Sequence, residues 1–362
     1  MPPRRVSSTL LALAAVALCA ACGGGGGDGP TPPIVPPPAR GQAPAVHVQG
    51  NALATSTGTI RLRGVNHSGT EYACIQGWGI FDGSVDSAAV AAIASWKANA
   101  VRVPLNESCW LGINGVKPEY AGANYQGAVA AYVGRLTRQG FNVVLELHWT
   151  GTGTTPETGQ QPMPNRANTP AFWTSVATAY KGNDAVIFDL FNEPFPDGNR
   201  DTAEGWRCWR DGGTCAGMTY QAAGMQELVT AIRGTGATNV IMLGGLQYAN
   251  ALSSWLASKP NDPLNNLAAS WHVYSFNICN NATCWNAYAA PVAQQVPLVL
   301  GEIGDGSGGA AFNTSLMDWM DARQGSYLAW VWNVWGSSLD LITNYDGTPT
   351  TYGRTFKTRF GA

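Results

Sequence analysis

The sequence predicts an α/β fold, a single (β/α)8 barrel of the TIM type, and three observations favour it. Eight short apolar segments rich in β-branched residues recur along the chain, as expected for strands buried on both faces. Helix-like stretches lie between them, so strand and helix alternate. The alternation runs from 59 to 332 of the 362 residues and leaves no room for a second domain. A doubly wound parallel sheet is the alternative architecture.

The predicted strands are preceded by a short N-terminal hairpin and follow one another in chain order. They cover 59–65, 100–105, 142–147, 185–191, 240–243, 268–273, 298–301 and 326–332. The predicted helices cover 87–98, 125–139, 172–180, 220–232, 252–257, 285–294 and 312–322. Asp86 is a candidate N-cap, Thr169 another in front of Pro170, and Gly140 a candidate C-cap.

The first 44 residues are expected to lie outside the barrel, which would cover 45–362. Arg4 and Arg5 precede an apolar run at 10–21, which is typical of a secretory signal peptide and too short to span a bilayer. Glycine and then proline dominate 22–44, the composition of a tether.

The end of the apolar run, Cys19-Ala20-Ala21-Cys22, resembles a bacterial lipoprotein cleavage site. Residues 1–21 are then the signal peptide, and Cys22 is expected to carry a lipid that provides the only membrane contact. Ordinary signal-peptidase cleavage is the alternative, because Cys19 departs from the motif. The protein is expected to be exported and anchored to the outer membrane or cell surface, or otherwise to be periplasmic or secreted.

Six cysteines remain after Cys22, and an even number in an exported protein suggests disulfides that brace the loops. Fifteen pairings are possible. Proximity in the sequence favours Cys208–Cys215 and Cys279–Cys284, which leaves Cys74–Cys109. A zinc site is the alternative, but no Cys-x2-Cys spacing supports it.

The composition excludes some partners and suggests others. The formal net charge is −2 and charged residues make up 12% of the chain, so no basic footprint for nucleic acid exists. The chain contains 14 Trp, 12 Tyr and 10 Phe. Aromatic rings on a charge-poor surface suit the stacking of neutral sugars, although a plain hydrophobic core would use the same residues.

Polar residues are found where the predicted strands end. In a (β/α)8 barrel the carboxyl ends of all strands meet at one rim, where active sites lie. The residues at this rim are Arg102 within the second strand, His148 after the third, Asn192 and Glu193 after the fourth, His272 and Tyr274 at the sixth, Glu302 at the seventh and Trp332 at the eighth.

Glu193 and Glu302 are the candidate catalytic pair. Cleavage of a glycosidic bond needs one protonated acid for the leaving oxygen and one carboxylate for the anomeric carbon. Carboxyl groups about 5–5.5 Å apart predict retention of configuration, and a wider gap predicts inversion. Either glutamate alone is equally well explained by a structural ion pair.

Six segments in this order resemble glycoside hydrolase family 5, the cellulase family. They are Arg63-Gly64-Val65-Asn66, Asn99-Ala100-Val101-Arg102-Val103-Pro104, Leu147-His148-Trp149, Phe191-Asn192-Glu193-Pro194, His272-Val273-Tyr274 and Leu300-Gly301-Glu302-Ile303-Gly304. The resemblance covers about 46–360. It implies a β-linked glycan as substrate, Glu193 as acid/base and Glu302 as nucleophile.

The other rim residues are expected to support this chemistry. Arg102 would keep Glu302 ionised, and Tyr274 would donate a hydrogen bond to it. Asn192 would bond the sugar 2-hydroxyl. His148 and His272 would bond ring hydroxyls or orient the acids, with burial in the core as their alternative. Trp332 is the expected sugar platform, also with core packing as its alternative; Trp330 and Trp335 are further aromatic candidates.

No cofactor and no metal are expected. The segment 304–309 fits G-x-G-x-x-G, but it lies near the chain end with room for only one more strand, which disfavours dinucleotide binding. A metal-dependent hydrolase would need histidines at short spacing, and the four histidines of this chain are scattered. The G-x-S-x-G of a serine hydrolase is absent.

The sequence therefore predicts a monomeric retaining β-glycoside hydrolase, with an endo-β-1,4-glucanase as the leading interpretation. An exo-acting β-glycosidase, a β-mannanase and a non-catalytic surface carbohydrate-binding barrel are the alternatives. Three long loops, 69–83, 150–168 and 196–217, are expected to decide the substrate.

Overall fold

The computed structural model of the protein describes residues 41–154, 156 and 158–362. The predicted signal peptide, Cys22 and most of the predicted tether lie outside the described residues. The last residues of the predicted tether contact the barrel domain, because Ala43 N–H donates to the Thr137 carbonyl at 2.8 Å. Within these residues no helix combines the length and the apolar character that a membrane crossing requires.

Eight parallel strands form a closed barrel, and we number them 1–8 along the chain. They are Arg63–Asn66, Ala100–Asn106, Asn142–Trp149, Val186–Asp189, Ile241–Gly244, Leu267–Tyr274, Leu298–Gly304 and Ser326–Ala329. Strand 8 pairs with strand 1 through Tyr327 and Arg63, which closes the ring. The predicted (β/α)8 barrel is confirmed, and the doubly wound alternative was wrong.

A three-stranded antiparallel sheet precedes the barrel and consists of His47–Gln49, Ala52–Thr55 and Gly58–Ile60. Leu53 of this sheet packs against Val144, Ile187 and other side chains from the strand beginnings, so the sheet covers the amino end of the barrel. The prediction of one strand over 59–65 was therefore wrong, because this segment is divided between Gly58–Ile60 of the sheet and Arg63–Asn66 of the barrel. Its sequence favours extended backbone throughout, and only the pairing partners separate the two strands.

Helices surround the barrel. They are Ser87–Ser95, Glu107–Leu111, Ala123–Arg138, Thr169–Tyr180, Pro196–Asn199, Ala203–Asp211, Met225–Gly234, Leu246–Ala249, Trp255–Ser258, Ala282–Cys284, Ala290–Ala293, Ala311–Asp321 and Thr351–Gly361, with a 3-10 turn at Pro118–Tyr120 and a π turn at Trp285–Ala289. Asp86 caps the first helix by accepting from Ala89 N–H at 2.8 Å. The prediction that Thr169 is an N-cap was wrong. Asn168 precedes the helix, and the Thr169 hydroxyl is bonded to Glu107.

The loops are braced as predicted. Disulfides join Cys74 to Cys109, Cys208 to Cys215 and Cys279 to Cys284. The predicted long loop 196–217 contains the helix Ala203–Asp211, which buries Trp206 and Trp209. Two small ribbons complete the structure, Gly212–Gly213 with Ala222–Ala223 and Ile342–Asn344 with Thr348–Pro349.

Candidate active site

A cavity of about 300 Å³ opens at the carboxyl end of the barrel strands. Its walls include Glu193, Glu302, Gln160, Tyr274 and Trp330. A cavity of about 370 Å³ lies beside the amino ends of the strands. Asp262 of that second cavity is paired with Arg233 at 2.8 Å, so the acids available for chemistry are at the carboxyl end.

The two predicted acids converge in this cavity. Carboxylate oxygens of Glu193 and Glu302, together with a ring nitrogen of His272, lie within 4.8 Å of one another. Gly301 makes this approach possible, because a Cβ there would lie 2.8 Å from Nε2 of His272. This limit on the distance between their oxygens is compatible with the roughly 5–5.5 Å separation of a retaining pair.

Glu302 is held by two donors. Nη1 of Arg102 lies 2.8 Å from Oε1, and the Tyr274 hydroxyl lies 2.6 Å from Oε2. Glu302 is 3% exposed and Arg102 is fully buried. Two hydrogen bonds, one from a permanent cation, hold the orientation of this carboxylate.

Arg102 organises the floor of the site. Its guanidinium also donates to Asp189 at 3.1 Å, to Asn66 at 3.0 Å and to Asn192 at 2.9 Å. Burial alone would lower the pKa of Arg102, but the surrounding carboxylates outweigh it and raise the pKa above its usual range. The planar guanidinium thereby fixes side chains from strands 1 and 7 and from the end of strand 4 at defined angles.

Glu193 has a different environment. Nδ1 of His272 lies 3.0 Å from its Oε1, and the Gln160 amide donates to its Oε2 at 3.0 Å. Burial raises the pKa of Glu193 above its usual value. Burial also lowers the pKa of His272 to about 4, so this imidazole is neutral at neutral pH. The environments of the two acids therefore differ: Glu193 faces a neutral imidazole and an amide, whereas Glu302 faces the Arg102 guanidinium.

His148 is paired with Glu146 rather than free. Its Nδ1 lies 2.5 Å from Oε1 of Glu146. Burial disfavours the imidazolium, but the Glu146 carboxylate outweighs it and raises the pKa of His148 to about 9. Nε2 lies 3.4 Å from the Asn192 amide, so the predicted residues His148 and Asn192 are neighbours in the site.

The prediction that Trp332 is the sugar platform was wrong. Its side chain is fully buried and packs edge-on against Trp96 with ring centroids 4.9 Å apart. Trp330 lines the cavity instead and stacks on His148 at 6.0 Å. Strand 8 ends at Ala329, and the two tryptophans are two residues apart, so strand alternation gives both the same face and cannot separate them.

Aromatic side chains flank the acids in two groups. Trp330, Trp335 and Tyr72 follow one another at centroid distances of 6.4 and 6.2 Å, and Trp78 and Trp149 contact Tyr72. We call these five residues the first aromatic wall. The second aromatic wall consists of Phe195, Tyr248 and Phe276, from the loops after strands 4, 5 and 6. Trp330 of the first wall and Tyr248 and Phe276 of the second line the cavity that contains the acid pair.

Sequence reasoning missed several residues of the site: Asn66, Glu146, Asp189, Gln160 and Glu107. A charge within an apolar strand was an available signal for Glu146 and Asp189, which stand inside strands 3 and 4. Gln160 and Glu107 carried no such signal, since they lie in a loop and at a helix start.

Glu107 ties together both ends of the loop after strand 3, which we call the strand-3 loop (150–168). It accepts hydrogen bonds from Thr150 at 3.0 Å, from Gly151 N–H at 3.2 Å, from Asn165 at 2.6 Å and from Thr169. Burial raises the pKa of Glu107 to about 7. Because the pKa is raised, ionisation of Glu107 costs folding free energy, and the cost accumulates as the pH rises from the usual carboxyl value to about 7.

Glu107→Leu is expected to lower the free energy of unfolding by about 3 kcal/mol or more, because four buried donors lose their acceptor. Glu107→Gln is expected to cost less than about 1 kcal/mol, since the two threonine hydroxyls can turn to accept. The wild type should lose stability relative to Glu107→Gln as pH rises from about 4.5 to about 7. Urea unfolding across this range measures both effects, and a constant difference between the two proteins would contradict the pH dependence.

The spacing of Glu193, His272 and Glu302 is also short enough for a metal ion. However, Arg102 and Tyr274 already donate to Glu302, and Gln160 donates to Glu193. A cation next to the buried guanidinium would be repelled. We therefore assign no ion to this cluster.

Comparison with known proteins places the chain among glycan-cleaving barrels. The family model for cellulase (glycosyl hydrolase family 5) matches residues 53–336. An endoglucanase, MaCel5A of Microbulbifer sp. (strain ALW1), is 28% identical over 152 residues, which are 41% of this chain. The match spans about a quarter (26%) of that relative's own length.

Solved structures share the fold. The β-glucanase SdGluc5_26A of Saccharophagus degradans in complex with cellotetraose superposes with a TM-score of 0.68 at 20% identity, covering 90% of this chain and 97% of that one. The catalytic domain of Thermobifida fusca endoglucanase Cel5A superposes with a TM-score of 0.62 at 16% identity, covering 88% and 97%.

Proposed function

Because the chain belongs to glycosyl hydrolase family 5, the cellulase family, we propose that it is a retaining endo-β-1,4-glucanase. The observation that carries this proposal is the acid pair Glu193 and Glu302, whose carboxylate oxygens approach within 4.8 Å. At this distance a sugar ring can be attacked directly by one carboxylate while the other protonates the leaving oxygen.

In the first step Glu302 attacks the anomeric carbon and Glu193 gives its proton to the glycosidic oxygen. The C–O bond to the leaving sugar breaks with its electron pair on that oxygen, and an ester forms between Glu302 and the remaining sugar. Arg102 and Tyr274 hold the Glu302 carboxylate in the orientation for this attack. Burial of Glu193 supports its protonated form.

In the second step Glu193, now ionised, removes a proton from water as the water attacks the anomeric carbon. The ester bond breaks, Glu302 leaves as a carboxylate, and the configuration is retained overall. Asn192 is the proposed partner of the sugar 2-hydroxyl, a contact that strengthens in the transition state. His148, charged and beside Trp330, is placed for a ring hydroxyl.

The groove supports endo rather than exo action. The first aromatic wall lies on the loops of strands 1, 3 and 8, and the second on those of strands 4–6. A glycan chain bound across the acids can therefore stack on both sides, whereas an exo-acting site would be closed on one side. The relative named an endoglucanase and the β-glucanase structure with cellotetraose are consistent with a β-1,4-glucan.

The alternative of a non-catalytic carbohydrate receptor is disfavoured by the same acids. A binding surface gains nothing from two buried carboxylates within 4.8 Å, since their mutual repulsion and burial cost stability. A β-mannanase or exo-β-glycosidase would use the same acid pair and differ only in the groove.

The proposed location is outside the cytosol, with the lipid at Cys22 as the proposed anchor and a monomer as the working unit. Three disulfides support an oxidising compartment. A glycan polymer as substrate agrees with this location, because it would be met outside the cell.

Incubation with soluble substituted cellulose, mixed-linkage β-glucan and mannan tests the proposed substrate and mode. We expect the viscosity of the cellulose derivative to fall early, before many reducing ends appear, because internal bonds are cut. Cellohexaose should yield a mixture of shorter oligosaccharides. Faster cleavage of mannan, or release of one product from a chain end only, would contradict the proposal in favour of its alternatives.

A further inference from the structure

We infer that Gln160 is a positioning residue of the reaction, which holds the Glu193 carboxylate through its side-chain amide and sets the pH range of proton donation. This inference rests on the acid/base role proposed above for Glu193. It assigns a task to the strand-3 loop, whose function the sequence left open.

The contact is a single, directed hydrogen bond. Nε2 of Gln160 lies 3.0 Å from Oε2 of Glu193, while His272 takes the other oxygen, Oε1, also at 3.0 Å. The carboxylate is therefore contacted at both oxygens, by the strand-3 loop at one and by strand 6 at the other. These two contacts fix its rotation about the last side-chain bond.

Hydrogen bonds join the described residues on either side of Gln160 in the strand-3 loop to neighbouring segments. Glu107 bonds residues at both of its ends, as described above. Close to Gln160, the Pro162 carbonyl accepts from Phe195 N–H at 2.9 Å, two residues after Glu193. The Tyr220 hydroxyl donates to the Met163 carbonyl at 2.6 Å. The segments that carry the amide and the acid are thus joined directly.

The chemistry of the amide determines the direction in which this contact shifts the pKa of Glu193. The amide N–H can only donate, so at Oε2 it favours the ionised carboxylate over a protonated oxygen. It opposes burial, which raises the pKa of Glu193. The other titratable or charged groups that face Glu193 are His272 and Tyr274 from strand 6, Glu302 from strand 7, Arg102 from strand 2, and Glu146 and His148 from strand 3.

Gln160→Leu removes this donor with little change in volume. We expect the alkaline limb of the pH profile of kcat/KM to move upward by about one pH unit, because the lost hydrogen bond leaves burial unopposed. Gln160→Glu should move it further, since a second carboxylate then faces the first. The substrate is a cello-oligosaccharide, whose unactivated leaving group requires the acid.

The chain offers a matched control one residue later. Gln161 makes no hydrogen bond to either carboxylate among the described residues, so Gln161→Leu should leave the profile unchanged. Thermal unfolding of all three variants shows whether the loop stays folded. An unshifted alkaline limb in Gln160→Leu, or an equal shift in Gln161→Leu, would overturn the inference.

Two further measurements separate this inference from the proposed function. If Glu193→Ala keeps its full activity on the cello-oligosaccharide, the acid/base assignment itself is wrong. If Glu193→Ala loses activity on that substrate but still releases a burst of dinitrophenol from a 2,4-dinitrophenyl glycoside, with turnover restored by azide, the assignment holds. The Gln160 variants then decide the inference by the position of the alkaline limb alone.

Discussion

Glu302→Ala is expected to lower kcat on an aryl β-cellobioside by about 10⁴-fold or more, because the variant has no group to form the glycosyl ester. Added azide should restore part of the activity, since the small anion fits the space that the carboxylate leaves. Azide attacks from the face where Glu302 stood, so the product should be the α-glycosyl azide. Product analysis by NMR measures this directly.

Glu193→Ala is the matched control for that experiment. Its nucleophile is intact, so a substrate with an activated leaving group still forms the ester, and azide then attacks from the opposite face. The expected product is the β-glycosyl azide. The same anomer from both variants, or no effect of Glu302→Ala, would contradict the assignment of the two roles. The pair therefore tests both the retaining mechanism and which acid does which task.

Arg102→Met is expected to have the largest effect on stability. Arg102 lies 2.8 Å from Glu302, 3.1 Å from Asp189 and 3.6 Å from Glu146, and its side chain is fully buried. Removing one partner of a buried ion pair costs about 3–5 kcal/mol, and here three acids lose their cation. We expect the free energy of unfolding to fall by at least that amount, measured by urea unfolding at pH 7.

The loss should shrink as the pH falls. Without Arg102 the buried acids have folded pKa values above their unfolded values, so stability is lost as pH rises through them and regained on acidification. Arg207→Met is the control, because Arg207 pairs with Glu204 at the exposed surface and should cost less than about 1 kcal/mol. Equal effects of the two substitutions, or a loss that is independent of pH, would contradict this account of the site floor.

The sequence was sufficient for the barrel and for the acids. Strands buried on both faces must be apolar along their whole length, so their positions stand out in the sequence. Polar residues at the ends of such strands are conspicuous for the same reason, and Glu193 and Glu302 were found this way. The pairing Cys74–Cys109 followed from the proximity of the other four cysteines.

The tertiary structure alone decided which side chains meet. Trp330 rather than Trp332 faces the groove because the chain leaves strand 8 at Ala329, where the alternation of faces ends. Glu107 and Gln160 are joined to residues far away in the chain, through contacts that depend on the path of the strand-3 loop. Local sequence encodes burial and backbone preference, whereas these contacts are set by the packing of distant segments.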